Sequence, residues 1–145
     1  MIFDLSPLLP LASFRHALRR FLAASERISR DGGVTQHQYQ AMLAIAARLD
    51  ARMSMKELSE ELLLTHHAAV QLMDRLAKLG LAQRSPSSVD RRSVELSLTE
   101  NGTALVNKLA SQHLAEMLLR EPALSASLRQ LRQLRSATDP DADRC

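Results

Sequence analysis

The sequence predicts a mostly α-helical fold with one small β-hairpin (α+β), and three observations lead there. Apolar residues make up 46% of the 145 residues and aromatics only 3%. The core must therefore be Leu, Ala, Met and Val, a composition that favours helices. Apolar residues recur at three- and four-residue steps along most of the chain, behind residues that start helices. Only between Val94 and Leu98 does the period fall to two. This length fits one domain, or one domain with a dimerisation extension.

The first helix is expected over residues 11 to 30, where Leu11, Phe14, Leu18, Phe21, Leu22 and Ile28 alternate with Arg15, Arg19, Arg20 and Arg27. Gly32-Gly33 ends it. Thr35 with Gln38 has capping-box spacing, each side chain satisfying an amide of the next helix. Tyr39, Met42, Leu43 and Ala46 supply that helix's apolar face. Ser54 with Glu57 repeats the device before a short third helix holding Leu58 and Leu62.

Thr65 caps a fourth helix, "HHAAVQLMDRLAKLG". Ala69, Leu72, Met73 and Leu76 line its inner side, and His67, Gln71, Asp74 and Lys78 its outer side, with Gly80 as C-terminal cap. Two closely spaced helices, the second with a polar outer face, form a helix-turn-helix. "LAQRS" is then a short strand, and Pro86 with its serines excludes a helix. Val94, Leu96 and Leu98 alternate with polar residues as the return strand, leaving "SPSSVDRR" at the tip. Thr99 caps a long helix to about Arg120, and "LRQLRQLR" forms a further helix near the end. A helix-turn-helix followed directly by a two-stranded hairpin is a winged helix.

Charge points to anionic partners: the net charge is +3 and the pI about 9.6. The last residues, "DPDADRC", hold three Asp against one Arg, so the rest is more basic than the whole. Residues 139–145 are expected to be a disordered tail. Cys145 is the only cysteine, which rules out an intramolecular disulfide and a cysteine-rich zinc site. Asp4, Pro7 and Pro10 interrupt the N-terminal apolar residues, which argues against a signal peptide, and no run is long enough to span a bilayer. The chain is expected to be cytoplasmic and without membrane partners.

Catalytic and metal chemistry find no support. There is no GxSxG, HExxH or Gly-rich phosphate loop, and Ser, His and Asp lack a spacing that assembles them. Adjacent His66 and His67 would point about 100° apart on a helix and cannot readily share an ion. His16, His37 and His113 lie singly in three segments. We expect no enzyme, no metal and no cofactor.

The wing and the helix before it suit DNA. A narrow A·T-rich minor groove carries enhanced negative potential, which a guanidinium on a thin hairpin, Arg91 or Arg92, can reach. Asp90 could fix an arginine rotamer through a charge-assisted hydrogen bond. The capped helix offers Thr65, His66, His67, Ala68 and Gln71 to a major groove, with Arg75 as a phosphate contact and its positive dipole facing phosphate. Gln pairs bidentately with adenine, and Ala contacts only a thymine methyl. Asp74 would repel phosphate unless Lys78 or an arginine pairs with it.

Over residues 10 to 135 the chain resembles the MarR family of bacterial transcriptional regulators. Gly80-Leu81, Arg84, Asp90-x-Arg92, and Leu98-Thr99 with Gly102 stand in the family's register. The three leucines before the second helix-turn-helix helix, the histidines that open it, and Asp74 depart from the pattern. The resemblance implies a winged helix-turn-helix (35–99) flanked by N- and C-terminal dimerisation helices (1–34 and 100–138). It implies a homodimer on pseudo-palindromic double-stranded DNA, a repressor rather than an activator, with Arg92 in the minor groove and Asp90 orienting it. Arg84, Ser87, Ser88 and Arg91 complete the wing candidates. It also implies release by a small anionic or phenolic effector, whose pocket Arg15, His16, Tyr39 and Met42 would border. The alternative from another class is a winged-helix protein-interaction module that reads no base.

Overall fold

A computed structural model describes residues 7–87, 89, 90 and 92–138. Ser88, Arg91 and the 139–145 tail with Cys145 lie outside the described residues. The elements run α1 (Leu8–Asp31), α2 (Gln36–Ala46), β1 (Arg52–Ser54), α3 (Met55–Glu61), α4 (His66–Lys78), β2 (Ala82–Pro86), β3 (Val94–Leu98) and α5 (Glu100–Thr138). They form two compact units, Met1–Ser25 with His113–Cys145, and Glu26–Gln112.

Local signals account for most boundaries. Thr35 and Ser54 form complete capping boxes with Gln38 and Glu57. The main-chain N–H of Ser54, then Arg48 at 2.8 Å, hold the Glu57 carboxyl below its ordinary pKa. Because that pKa is depressed, this contribution to stability is present at neutral pH and fades as pH falls through it. α1 begins at Leu8, before the expected residue 11, because Pro10 sits in the first turn, where an N–H has no intrahelical partner. The first such bond runs from the Leu11 N–H to the Pro7 carbonyl.

Three helices end in the same way. After α1, α3 and α4 a residue turns to positive φ, and two N–H groups fold back onto the last turn. Gly33 (φ 86°) and Gly80 (φ 71°) take that position after α1 and α4, but after α3 it falls to Leu63 (φ 55°). A side chain in this region costs energy that glycine does not incur. Leu63 is 92% exposed and recovers little by packing. Leu63→Gly should therefore raise the unfolding free energy by about 1 kcal/mol, read from the midpoint of denaturant unfolding.

In the Glu26–Gln112 unit, Met42, Ile45, Leu58, Met73, Leu76 and Leu96 are wholly buried and join one core with Tyr39, Met53 and Leu72. The sheet has three strands in the order β1-β3-β2, all antiparallel, rather than the expected two. β1 escapes sequence reading because three residues cannot display a period, and Ser54 also caps α3. Pro86 ends β2 on an outer strand, where its missing N–H breaks no ladder.

The Gly80-Leu81 and Leu98-Thr99-x-x-Gly102 motifs form one joint. Thr99 donates its hydroxyl to the Gly80 carbonyl at 2.6 Å and its N–H to the Leu81 carbonyl at 3.0 Å, while its Oγ1 accepts the Gly102 N–H. A Cβ at Gly102 would lie 1.9 Å from the Leu81 carbonyl oxygen, so only glycine fits.

In the other unit Ala17, Ala24, Ser25, His113 and Ser127 are buried, and His113 Nε2 lies 2.8 Å from Ser25 Oγ. The expected pair of C-terminal helices is one helix of 39 residues with Pro122 inside it. Proline removes the N–H that would bond the carbonyl of residue 118, but both Leu118 and Pro122 are exposed, so water can serve that carbonyl. No helix among the described residues is long and apolar enough to cross a membrane.

Candidate nucleic-acid interface

α4 buries Ala69, Leu72, Met73 and Leu76 and turns His66, His67, Gln71, Arg75 and Lys78 to solvent. Thr65 accepts the Ala68 N–H on its side chain at 3.1 Å and the Ala69 N–H on its carbonyl at 3.0 Å. The N–H groups of His66 and His67 also lie in the first turn, where a helix leaves its donors without an intrahelical partner. No acidic residue stands in that turn, so the positive end of the helix dipole is uncompensated. Ala68 is half-buried. With two open amides and two imidazoles, this end can receive an anionic oxygen or a base edge.

The wing tip is ordered by small polar groups. The Ser87 hydroxyl accepts the N–H groups of Val89 and Asp90 and donates to Glu95 at 3.3 Å. The Asp90 carboxylate accepts the main-chain N–H of Arg92 at 3.0 Å, and its carbonyl accepts the N–H and hydroxyl of Ser93. Asp90 was expected to hold the Arg92 guanidinium. It instead closes a turn on the backbone, because an acceptor two residues from an amide forms that ring more readily than it reaches back along a long side chain. The Arg92 side chain stands at the exposed tip. Ser87 spends its hydroxyl within the loop.

Arg84 lies at the base of the wing. It meets Asp74 at 2.7 Å and donates to the Val70 carbonyl at 3.3 Å. Asp74 thus has its cation, an arginine rather than Lys78. This pairing across ten residues had no signal in the sequence, since it depends on how the hairpin docks on α4. The ion pair of Arg52 with Glu95 at 3.0 Å was hidden for a related reason, because it joins β1 to β3.

The effector-pocket candidates are divided. Arg15 and His16 belong to one unit, Tyr39 and Met42 to the other. Met42 is wholly buried and Tyr39 nearly so, both within a core cluster, and burial raises the Tyr39 pKa. His16 lines a groove of about 610 Å³ with Arg20, Arg120, Ala17, Ala123 and Ser127. Among the described residues no three His, Cys, Asp or Glu side chains are grouped to hold a metal ion.

Comparison with known proteins places this geometry. Residues 32–93 match the model of the MarR family. The HTH-type transcriptional regulator PecS of Dickeya dadantii (strain 3937) is 33% identical over 60 residues, 41% of this chain and 36% of PecS. The match thus spans little more than a third of that relative. AbsC, a MarR family transcriptional regulator from Streptomyces coelicolor, has a TM-score of 0.75 at 21% identity over 99% of this chain and 96% of its own. A mutant MarR from E. coli, solved in complex with operator DNA, has a TM-score of 0.65 at 20% identity, covering 94% of this chain and 99% of its own. At these identities the two structures establish the fold.

Proposed function

We propose that this chain, whose residues 32–93 match the model of the MarR family, is a transcriptional regulator of that family that binds duplex DNA as a homodimer. The observation that carries the proposal is that one unit presents both an open helix N-terminus and a cation-tipped hairpin. His66, His67 and Gln71 read base edges in the major groove, with Thr65 and Ala68 against the backbone and Arg75 on phosphate. Arg92 enters the minor groove, and Asp90 and Ser87 shape the loop that carries it. Arg91 and Ser88 complete the backbone contacts of the tip.

Dimerisation is assigned to the helical regions 1–34 and 100–138. Its support is the line of Leu114, Met117, Leu118 and Leu128 on α5, which stand 57%, 49%, 64% and 46% exposed. Their spacing places them on one face of the helix, and an apolar stripe of this kind marks a contact surface. A second copy of the chain would cover it and set the two recognition helices about one duplex turn apart, roughly 34 Å. The regulator acts as a repressor by occupying its site. A small anionic or phenolic molecule releases it, for which Arg20 supplies a cation, and His16 and Arg120, the latter paired with Glu116 at 2.9 Å, supply hydrogen-bonding groups beside the small side chains of α1 and α5.

The test is recovery of genomic DNA fragments on the purified protein. The proposal expects an enriched pseudo-palindrome with half-site centres about ten base pairs apart. Recovery without any shared motif would reject base reading.

A further inference from the structure

We propose that Asp74 and Arg84 form a clasp that sets the position of the wing relative to the recognition helix, which makes Arg84 a positioning residue rather than a phosphate contact. The DNA consequences rest on the function proposed above. The clasp itself does not, because it belongs to the free protein.

The geometry is a two-point attachment. Asp74 and Val70 lie one turn apart on the same flank of α4, and Arg84 of β2 reaches both, Nη1 to the Asp74 carboxylate at 2.7 Å and Nη2 to the Val70 carbonyl at 3.3 Å. A planar guanidinium held at two points fixes direction as well as distance. Between the wing and the helix lies an open crevice of about 460 Å³, lined by Met55, Val70 and Val94 together with His66, Asp74 and Arg84. Apolar packing does not fill that gap, so a polar link spans it. The other strand of the hairpin has its own tether: Glu95 of β3 pairs with Arg52 of β1 and accepts the Ser87 hydroxyl from the tip. The two wing strands are thus tied by side chains to different neighbours, β2 to α4 and β3 to β1, and Arg92 stands two residues before β3.

Charge points the same way. Were Arg84 to leave for a phosphate, it would strand the Asp74 carboxylate on the helix flank beside DNA. Approach of the polyanion therefore favours the closed pair. The Asp74 and Arg84 side chains are 48% and 34% exposed, so the pair adds little to global stability. Its effect is on geometry, fixing the span between the major-groove helix and the minor-groove arginine.

The test uses the full chain with Asp74→Ala, Arg84→Ala and the exchanged pair D74R/R84E. Two quantities are measured: amide exchange of residues 82–86 and 94–98 in the free protein, and affinity for the recovered site relative to a random duplex. Both single variants should speed wing exchange severalfold, leave α2 exchange unchanged, and lower the affinity ratio about tenfold, with recovery in the exchanged pair. Unaltered wing exchange in both single variants would overturn the clasp. So would an Asp74→Ala variant that binds both duplexes more tightly at an unchanged ratio, the signature of an arginine freed for phosphate. If the wild-type chain binds no duplex, the functional reading fails, and the exchange data still decide the clasp.

Discussion

Arg92→Ala should weaken operator binding by at least tenfold while leaving the fold intact. Loss of an arginine that touches base edges costs about 1–3 kcal/mol, and a dimer loses two of them. The fold should survive because the side chain is exposed and the tip is held by main-chain groups, with Asp90 bonded to the N–H at 92, which alanine retains. The check is a titration of the site with a variant whose thermal midpoint matches wild type. A folded variant with wild-type affinity would remove Arg92 from the interface.

Charges placed on the α5 stripe should have a larger effect. Leu114→Glu with Leu118→Glu puts two carboxylates one turn apart on a face that monomer folding leaves 57% and 64% exposed. The chain should therefore fold yet sediment as a monomer. Each half-site then binds alone, and the gain from linking two sites, about 10²–10⁴ in affinity, is lost. Sedimentation velocity with a parallel DNA titration measures both. A variant that stays dimeric would move the interface away from this face.

How much was legible in the sequence followed the range of each interaction. Thr35 with Gln38, Ser54 with Glu57, and Thr65 act within three residues, so spacing alone located three helix starts. The alternation from Val94 to Leu98 identified β3 because one of its faces meets the core at Leu96. Features that depend on distant partners were not legible. β1 exists because Met53 pairs with Leu96, which lies far along the chain. α5 runs on through Pro122, on an exposed side where water can serve the carbonyl left without its bond, whereas the sequence reading ended the helix near Arg120. The site divided in the same way. Residue type and helical spacing placed His66, His67 and Gln71 on the outer face of α4. Asp90 and Ser87 were placed among the wing candidates, with Asp90 orienting Arg92, and in the free protein both bond main-chain amides of the turn itself, which residue type alone did not indicate. Arg84 was assigned to DNA as well, and only the docking of the hairpin brought it to Asp74.

The most direct test of the central claim, that this winged helix reads duplex DNA, is affinity measured against salt for the recovered site and for a random duplex. Phosphate contacts release counterions, so affinity should fall about a thousandfold or more between roughly 50 and 200 mM salt. At the higher salt the recovered site should still be favoured by about a thousandfold or more over random sequence. Affinity that does not change with salt, or that is equal for the two duplexes, would contradict the account.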